Sequence, residues 1–343
     1  MIETLWFCLV AIMIAGYVVL DGFDLGAGIV HLFVARDEGE RSRILSSIGP
    51  VWDGNEVWLL AGGGTLYFAF PALYASSFSG FYLALMIVLW LLILRGISIE
   101  IRNHIDSRLW KPFWDIVFGA ASAILALVFG VALGNVVRGV PIDSSGYFFI
   151  PLWTNFLPGN DVGIVDTYTL LVGLTAFTTL AVHGSTWVIL RSEGELRRRT
   201  IAFASRAWWI LLGLALLTTF FSFRIQPNLA IQFAQYPAGL VFPILAVAGL
   251  IGIRLWMGIQ NALAAFLASG VFIVGMLTSA AFGVFPYVLP SNTRPDFSLT
   301  VHNAAAPAYG LQVGLWWWIP GMALAILYSV FVYSRLASRR EYL

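Results

Sequence analysis

The sequence is poor in charged residues, in cysteine and in histidine. Only 11% of its 343 residues are charged, whereas a soluble domain carries about 25%. The hydrophobic fraction is 59% and the mean hydropathy is +0.85, which is more apolar sequence than a soluble core needs. The composition therefore predicts a polytopic membrane protein in which residues 1–343 form a single membrane domain.

The scarcity of cysteine and of net charge excludes further classes. The one cysteine, Cys8, cannot form a disulfide within the chain, and it argues against a cysteine-based zinc or iron–sulfur site. A net charge of +1 gives no indication of nucleic-acid binding. The first apolar run follows Met-Ile-Glu-Thr without a basic region or a clear cleavage site, so we expect a retained helix instead of a signal peptide.

The four histidines give little support for a metal or haem site in this chain. None has the HxxH, ExxH or HExxH spacing, and a haem within a bundle needs an axial histidine that faces the interior. His183 is the one candidate inside a later span, and such a lone histidine is more often a packing or proton-handling residue. We therefore predict no cofactor and no metal ligated by this chain.

Long apolar runs are what the sequence has in abundance. A span needs about 20 apolar residues, and nine runs qualify: 4–34, 55–71, 76–98, 112–137, 165–190, 204–223, 237–256, 260–285 and 311–334. The first exceeds the thickness of the hydrocarbon core and should tilt or project into water. The second contains "AGGGT" (61–65), which suits close helix packing or local unwinding.

The basic residues predict the orientation of these spans. Of the 19 lysines and arginines, three (Arg138, Arg224 and Arg294) lie in loops that follow even-numbered spans. The other sixteen lie after odd-numbered spans or in the C-terminal tail, which includes Arg339 and Arg340. The positive-inside rule then places the N-terminus outside and the C-terminus in the cytoplasm.

Two aspartates interrupt the first span in "VLDGFDLGAG" (19–28). Asp21 lies about 24 Å along the helix, towards the cytoplasmic edge of the core, and Asp24 lies one turn further on the same face. A carboxylate near this depth costs on the order of 1–3 kcal/mol, so it should face a cavity or a partner. The alternative is a pair of interfacial acids that cap neighbouring loops.

The segment "GPVWDGNEVW" (49–58) brings two more acids to the same side. Asp53 and Glu56 fit an acidic capping box at the start of the second span. They also fit a hydrated entrance that they line together with Asp21 and that Trp52 and Trp58 wall. Both interpretations stay open, because a capping carboxylate can also pass protons.

Other polar residues near the span ends are candidates for structural or interface roles. Arg95, Glu100, Arg102 and Asp115 lie at the cytoplasmic ends of the third and fourth spans and suit loop-anchoring ion pairs. Asn135, at the outer end of the fourth span, suits packing or capping. The structural and interface candidates are Trp52, Asn55, Trp58, Arg95, Glu100, Asp115 and Asn135. Acids gathered on one side indicate a proton- or ion-handling membrane subunit or a secondary transporter.

Several motifs, taken in order, resemble subunit II of cytochrome bd-type quinol oxidases, also called the cyanide-insensitive oxidases. The match rests on "YVVLDGFDLGAG" (17–28), "SSIGPVWDGNEVWLLAGGGTLYFAFPALYASSFSGFY" (46–82), "LRGISIEIR" (94–102), "WDIVFG" (114–119), "LGNVVRGVP" (133–141) and "FPYVLPS" (285–291). Chance co-occurrence of D-G-F-D-x-G and W-D-G-N-x-V-W is negligible. The predicted fold is thus an all-α integral membrane protein of nine spans, in two helical bundles plus one extra helix.

The resemblance implies a heterodimer with a larger subunit I that carries haem b, haem d (or b in place of d) and the quinol site. Such complexes of the bacterial cytoplasmic membrane oxidise membrane quinol and reduce O₂ to water electrogenically, without pumping. By the same resemblance Asp21 and Asp53 belong to a cytoplasmic proton path, to which Asp24 and Glu56 are further candidates. A structural quinone and small single-helix subunits occur in some members.

A proton-coupled secondary transporter is the alternative from another class. Transporter folds usually show inverted repeats and broken helices at the midplane. No repeat is evident here, and the acids lie near one interface. Together with the motifs, this favours the oxidase subunit.

Overall fold

A computed structural model describes residues 1–159 and 161–338 of the chain, and it is predominantly helical. The helices are α1 (Ile2–Leu20), α2 (Gly22–Val34), α3 (Glu38–Ile48), α4 (Trp52–Ala69), α5 (Pro71–Gly80), α6 (Tyr82–Ile101), α7 (Trp110–Arg138), α8 (Thr167–Arg191), α9 (Gly194–Ile225), α10 (Asn228–Gln235), α11 (Val241–Gly258), α12 (Ala262–Val284) and α13 (Ala308–Ser338). Two short strands, β1 (Tyr287–Leu289) and β2 (Leu299–Thr300), pair antiparallel. Among the described residues, the β-structure in this otherwise helical fold consists of this two-stranded sheet and an isolated bridge between Val140 and Ser291.

The described residues contain eight helical segments that are long and apolar enough to span a membrane, or nine when the bent pair α4–α5 is one span. This confirms the predicted helical membrane fold. Helices α1 and α2 form one span of 33 residues, because Asp21 between them keeps a helical backbone with φ −84° and ψ −18°. Arg339 and Arg340, which supported the orientation, lie outside the described residues.

The second and third spans differ from their predicted bounds. Helix α4 starts at Trp52 and ends at Ala69, and α5 is bent from it by 118°. Pro71 starts α5, because its ring fixes φ and removes the N–H that would continue the preceding helix. Residues 76–80, which the hydropathy assigns to the third span, therefore belong to α5.

The "AGGGT" segment neither unwinds nor supports close packing at its centre. Residues 61–65 continue α4 without a break. A Cβ atom added to Gly63 or to Gly64 would meet nothing within 4 Å. The prediction of local unwinding is therefore wrong. The segment packs at Gly62 and Thr65, which are buried against Met13 of α1.

The bundle interior is closest where α2 crosses α8. A Cβ on Gly26 would lie 2.0 Å from the Leu180 carbonyl oxygen, and one on Gly184 would lie 2.1 Å from the carbonyl carbon of Gly26. One apolar core joins α2 and α7 to α8, and another joins α8, α9, α11 and α12. The contact of α2 with α8 thus connects the first four spans to the next four, and α13 packs beside α1.

The connections form two distinct sides. On what we call the basic side, Arg102 bonds Glu38, Arg199 bonds Glu40 and the indole N–H of Trp187 donates to Ser47. On the opposite side, a bridge joins Val140 to Ser291. The odd-numbered loops therefore meet one another on one side and the even-numbered loops meet on the other.

Candidate functional site

A buried ion pair lies where α1 meets α2, on the half of the span nearer the basic side. Arg95 donates two hydrogen bonds to Asp21, one to each carboxylate oxygen, and the Nη1–Oδ2 distance is 2.9 Å. Both side chains are completely buried. The prediction that Arg95 anchors a loop is wrong, because this residue lies inside α6 and its side chain reaches across to the first span.

Asp24 is equally buried but is bonded differently. Its Oδ2 accepts a hydrogen bond of 2.7 Å from the Asn55 amide, whose own oxygen accepts one of 2.8 Å from the Tyr333 hydroxyl. The second oxygen of Asp24, Oδ1, has no hydrogen-bond partner among the described residues. A series of hydrogen bonds between side chains therefore links α2, α4 and α13.

Tyr333 was not identified from the sequence. It lies near the basic end of the last span, where a tyrosine fits the aromatic belt at a membrane surface equally well. Its partner is 278 residues away, so no local pattern could have revealed the contact.

Glu56 joins the cluster from the side of α4. Its carboxylate lies 3.7 Å from Nη1 of Arg95, and its side chain is 23% exposed. Asp53 is exposed, one turn closer to the start of α4. The predicted capping box is wrong: the N-cap is Val51 and no side chain caps this helix, so both acids lie within α4.

The two tryptophans of this segment flank Glu56. A Cβ on Gly96 would lie 3.4 Å from the ring of Trp52, and a Cβ on Gly16 would lie 3.4 Å from the ring of Trp58. Trp52 therefore packs against α6 and Trp58 against α1. Glycines on those helices make room for the rings.

We refer to Asp21, Asp24, Glu56, Arg95 and Asn55 as the carboxylate cluster. Within the described part of the chain it holds three carboxyl groups and one guanidinium. Burying a charge without a partner is costly. An excess of buried acid is chemically suited to bind a proton or a cation.

A second network anchors the loops on the basic side. Arg102 binds Asp115 through Nε at 2.6 Å and through Nη2 at 3.2 Å, and it also binds Glu38 at 3.0 Å. His31 lies 3.9 Å from Asp115. Glu100 is exposed and has no ion pair with any described residue, so the predicted anchoring group consists of Arg102 and Asp115 without Arg95 and Glu100.

A third network closes the opposite side and includes Asn135. The Asn135 amide donates to the carbonyls of Val131 and Ile164, at 2.8 Å each, and its oxygen accepts a bond of 2.6 Å from Arg138. Arg138 also pairs with Asp166. Asn135 therefore holds the end of α7 to the loop before α8.

Both ring nitrogens of His183 and one ring nitrogen of His31 are engaged by the chain's own hydrogen bonds. Nε2 of His183 donates to the Val19 carbonyl at 2.9 Å, and Nδ1 lies 2.7 Å from the Ser269 hydroxyl. Nδ1 of His31 donates to the Gly28 carbonyl at 2.6 Å. Over residues 1–159 and 161–338, no group of three or more His, Cys, Asp or Glu side chains is placed to hold a metal ion.

The packed apolar spans with buried ion pairs define the class, an integral membrane subunit of the helical type. Within this class, residues 2–336 match the family described as cytochrome bd terminal oxidase subunit II. The chain belongs to this family. It is therefore a subunit of an oxidoreductase complex and a multi-pass protein of the bacterial inner membrane, and the haems of the family are carried by subunit I.

Individual relatives align with this chain over nearly its whole length. The chain is 31% identical to the probable cytochrome oxidase subunit 2 of Haemophilus influenzae, covering 98% of this chain and 94% of the relative. It is 30% identical to the cytochrome bd ubiquinol oxidase subunit 2 of Bacillus subtilis, covering 99% and 98%. The cytochrome bd-I ubiquinol oxidase subunit 2 of Escherichia coli K12 is 29% identical, covering 98% and 94%.

A solved structure shows the same fold. The bd oxidase from Geobacillus thermodenitrificans superposes with a TM-score of 0.78 over 98% of each chain, at 16% sequence identity. Family membership decides against the secondary-transporter alternative.

Proposed function

We propose that this chain is the haem-free subunit II of a complex that oxidises membrane quinol and reduces O₂ to water. In this proposal it stabilises a haem-bearing subunit I and supplies a proton-uptake path through the carboxylate cluster. The observation that carries the proposal is the excess of buried acid over Arg95. Two relatives named ubiquinol oxidases support a quinol as the electron donor.

The chemistry of the complex requires such a path. Reducing O₂ to water consumes protons, and oxidising a quinol releases them. The positive-inside rule assigns the basic side to the cytoplasm, and the cluster lies on the half of the bundle nearer that side. Protons that enter there and reach a haem in subunit I would cross part of the membrane, which makes the reaction electrogenic without a pump.

The exposure of the acids decreases from Asp53 through Glu56 to Asp24. Asp53 is exposed, Glu56 is 23% exposed and Asp24 is fully buried. Asp53 and Glu56 lie one turn apart on α4, and Asn55 on the same turn contacts Asp24. We propose that protons enter at Asp53 and pass Glu56 before they reach the buried acids.

The partner and its haems can be identified in one experiment. Purification of the complex in mild detergent, followed by a reduced-minus-oxidised optical spectrum, should show haem b with haem d, or with b in place of d, in a co-purifying larger subunit. The same preparation would reveal single-helix subunits and a bound structural quinone. Stoichiometric haem bound to this chain expressed alone would contradict the proposed division of roles.

The proton path is tested by removing its acids. Asp53→Asn and Glu56→Gln should each lower quinol oxidase turnover while the haem spectrum of the complex persists. The exposed Glu100, changed to Gln, is the matched control and should leave turnover unchanged. Normal turnover in both test variants would exclude a proton path along α4.

A further inference from the structure

The two buried aspartates, Asp21 and Asp24, differ in how many hydrogen bonds protonation would disrupt. Asp21 uses both carboxylate oxygens on Arg95, and bidentate charge-assisted hydrogen bonds are among the strongest in proteins. Protonating Asp21 would break this arrangement and leave Arg95 without its carboxylate. Asp21 is therefore suited to be a fixed counter-charge.

Asp24 meets a partner that tolerates either protonation state. In the arrangement observed, Asn55 donates its amide N–H to Asp24 and accepts the hydroxyl proton of Tyr333. If Asp24 carries a proton, rotation of the Asn55 amide by half a turn presents its oxygen to that proton. The amide nitrogen then donates to the oxygen of Tyr333, because a tyrosine hydroxyl can donate or accept.

This exchange leaves every hydrogen bond of the chain made. The Tyr333 hydroxyl makes no other hydrogen bond with the described residues, so it can rotate with the amide. Oδ1 of Asp24, which has no partner among the described residues, is the oxygen at which the proton arrives. A half-turn of the carboxyl group then brings the protonated oxygen to face Asn55. The network thus holds Asp24 in place whether or not it is charged.

The charged and titratable groups that face Asp24 come from four helices. They are Asp21 on the first span, Glu56 on α4, Arg95 on α6 and Tyr333 on α13. Tyr17 interacts with Asp21. Because Asp21 already matches the charge of Arg95, a proton on Asp24 removes an excess negative charge from the cluster.

We propose that Asp24 is the proton-exchanging carboxyl of the cluster and that Asn55 and Tyr333 are positioning residues that hold it in both of its protonation states. This inference rests on the proposed function, since it names the residue that carries the proton. Asp21 and Arg95 serve as its electrostatic frame.

The test measures proton uptake by the complex with subunit I, using a pH-indicator dye while the reduced complex reacts with O₂. Asp24→Asn should slow uptake by about 100-fold, the range of a lost acid–base group, and Asp24→Glu should restore most of it. Tyr333→Phe should slow uptake by about fivefold, because one state of the network loses about 1 kcal/mol of hydrogen bonding. Tyr328→Phe, which removes an exposed hydroxyl from the same helix, should change nothing.

Two further readouts separate positioning from a purely structural role. Tyr333→Phe should shift the pH profile of the uptake rate, whereas lost packing alone would leave that profile in place. In a redox infrared difference spectrum, Asp24→Asn should remove a carboxyl C=O band that persists in the Asp21→Asn complex.

Each outcome decides between the two proposals. Uptake and pH profile unchanged in Asp24→Asn would overturn the assignment of Asp24; if Glu56→Gln slows uptake in that case, the proton path still stands. If neither variant slows uptake, the path through the cluster fails as well. Should Asp24→Asn not assemble with subunit I, an unchanged pH profile in Tyr333→Phe would overturn the inference.

Discussion

Two buried arginine–aspartate pairs lie at opposite ends of the spans, and their polar atoms are satisfied to different degrees. In the pair on the opposite side, Arg138 binds Asp166, the carbonyl of Gly163 and the side-chain oxygen of Asn135. Asp166 also caps α8 in a capping box with Thr169. One acid meets one base, and no atom of these side chains lacks a partner.

The carboxylate cluster, unlike the Arg138–Asp166 pair, has more acids than bases and contains buried polar atoms without a hydrogen-bond partner among the described residues. Asp21 and Glu56 both pair with Arg95, and the buried Asp24 adds a third acid. Nε of Arg95 and Oδ1 of Asp24 have no hydrogen-bond partner in the described part of the chain. Buried polar groups in proteins are nearly always bonded, so an unpaired carboxylate oxygen is free to form a further hydrogen bond. The comparison teaches that an ion pair with matched charges and complete hydrogen bonding suits a structural role, whereas a cluster with excess acid and an unpaired carboxylate oxygen could accept a proton.

Breaking the closed pair should have the largest effect on stability. Arg138→Met leaves Asp166 buried without its cation, which costs about 3–5 kcal/mol. Chemical denaturation of the purified complex should show a lower free energy of unfolding by that amount. A loss below about 1 kcal/mol would mean that the Arg138–Asp166 pair contributes less to the stability of the fold than its hydrogen bonds imply.

The close contact of α2 with α8 supports the first span and should be next in magnitude. Gly184→Ala places a methyl group 2.1 Å from the carbonyl carbon of Gly26, and overpacking costs typically about 1–3 kcal/mol. Gly63→Ala is the control, because a Cβ there meets nothing within 4 Å. Equal unfolding curves for the two variants would contradict the close contact.

Neutralising both partners should sharpen the comparison. Arg138→Met combined with Asp166→Asn keeps the cap of α8 and should recover stability to within about 1–2 kcal/mol of the parent. Arg95→Met combined with Asp21→Asn should have a lower turnover than the parent complex, because Asp24 and Glu56 lose their cation. Turnover equal to that of the parent complex in this second double variant would show that the Arg95–Asp21 pair is only structural.

The smallest effect is expected at an ion pair outside the spans. Burial opposes the charge of Glu40, but hydrogen bonds from the Arg36 amide and the Arg199 guanidinium hold the pKa of its carboxyl below the ordinary value of 4.5. The ionised form therefore stabilises the fold above pH 4.5, and this stability is lost as the pH falls through the lowered pKa. Arg199→Gln should shrink the difference in unfolding free energy between neutral and acidic pH.

A surface pair on the same helix provides the matched control for that measurement. Arg198 and Glu195 are exposed partners, so Arg198→Gln should change stability by less than about 0.5 kcal/mol at either pH. A pH dependence altered as much by Arg198→Gln as by Arg199→Gln would argue against the Glu40 pair as its source.

The sequence by itself determined the class and the family, and it located the apolar runs that form eight spans, or nine when α4 and α5 count as one, among the described residues. Each span folds on local physics, because apolar side chains favour lipid and a helix satisfies its own backbone hydrogen bonds. Even the bend after α4 has a local cause in Pro71, although hydropathy alone ran the third span through residues 76–80. The motifs around Asp21 and Asp53 were sufficient to indicate the family.

Only the tertiary structure decided which acids meet which partners. Arg95 pairs with Asp21 across 74 residues and Tyr333 reaches Asn55 across 278, while Asp53, one turn from Glu56, remains exposed. These outcomes depend on how each helix is rotated and on how closely its neighbours approach, as Gly26 and Gly184 allow. Hydropathy specifies that a helix crosses the membrane, but it contains no information about the direction in which a carboxylate on that helix points.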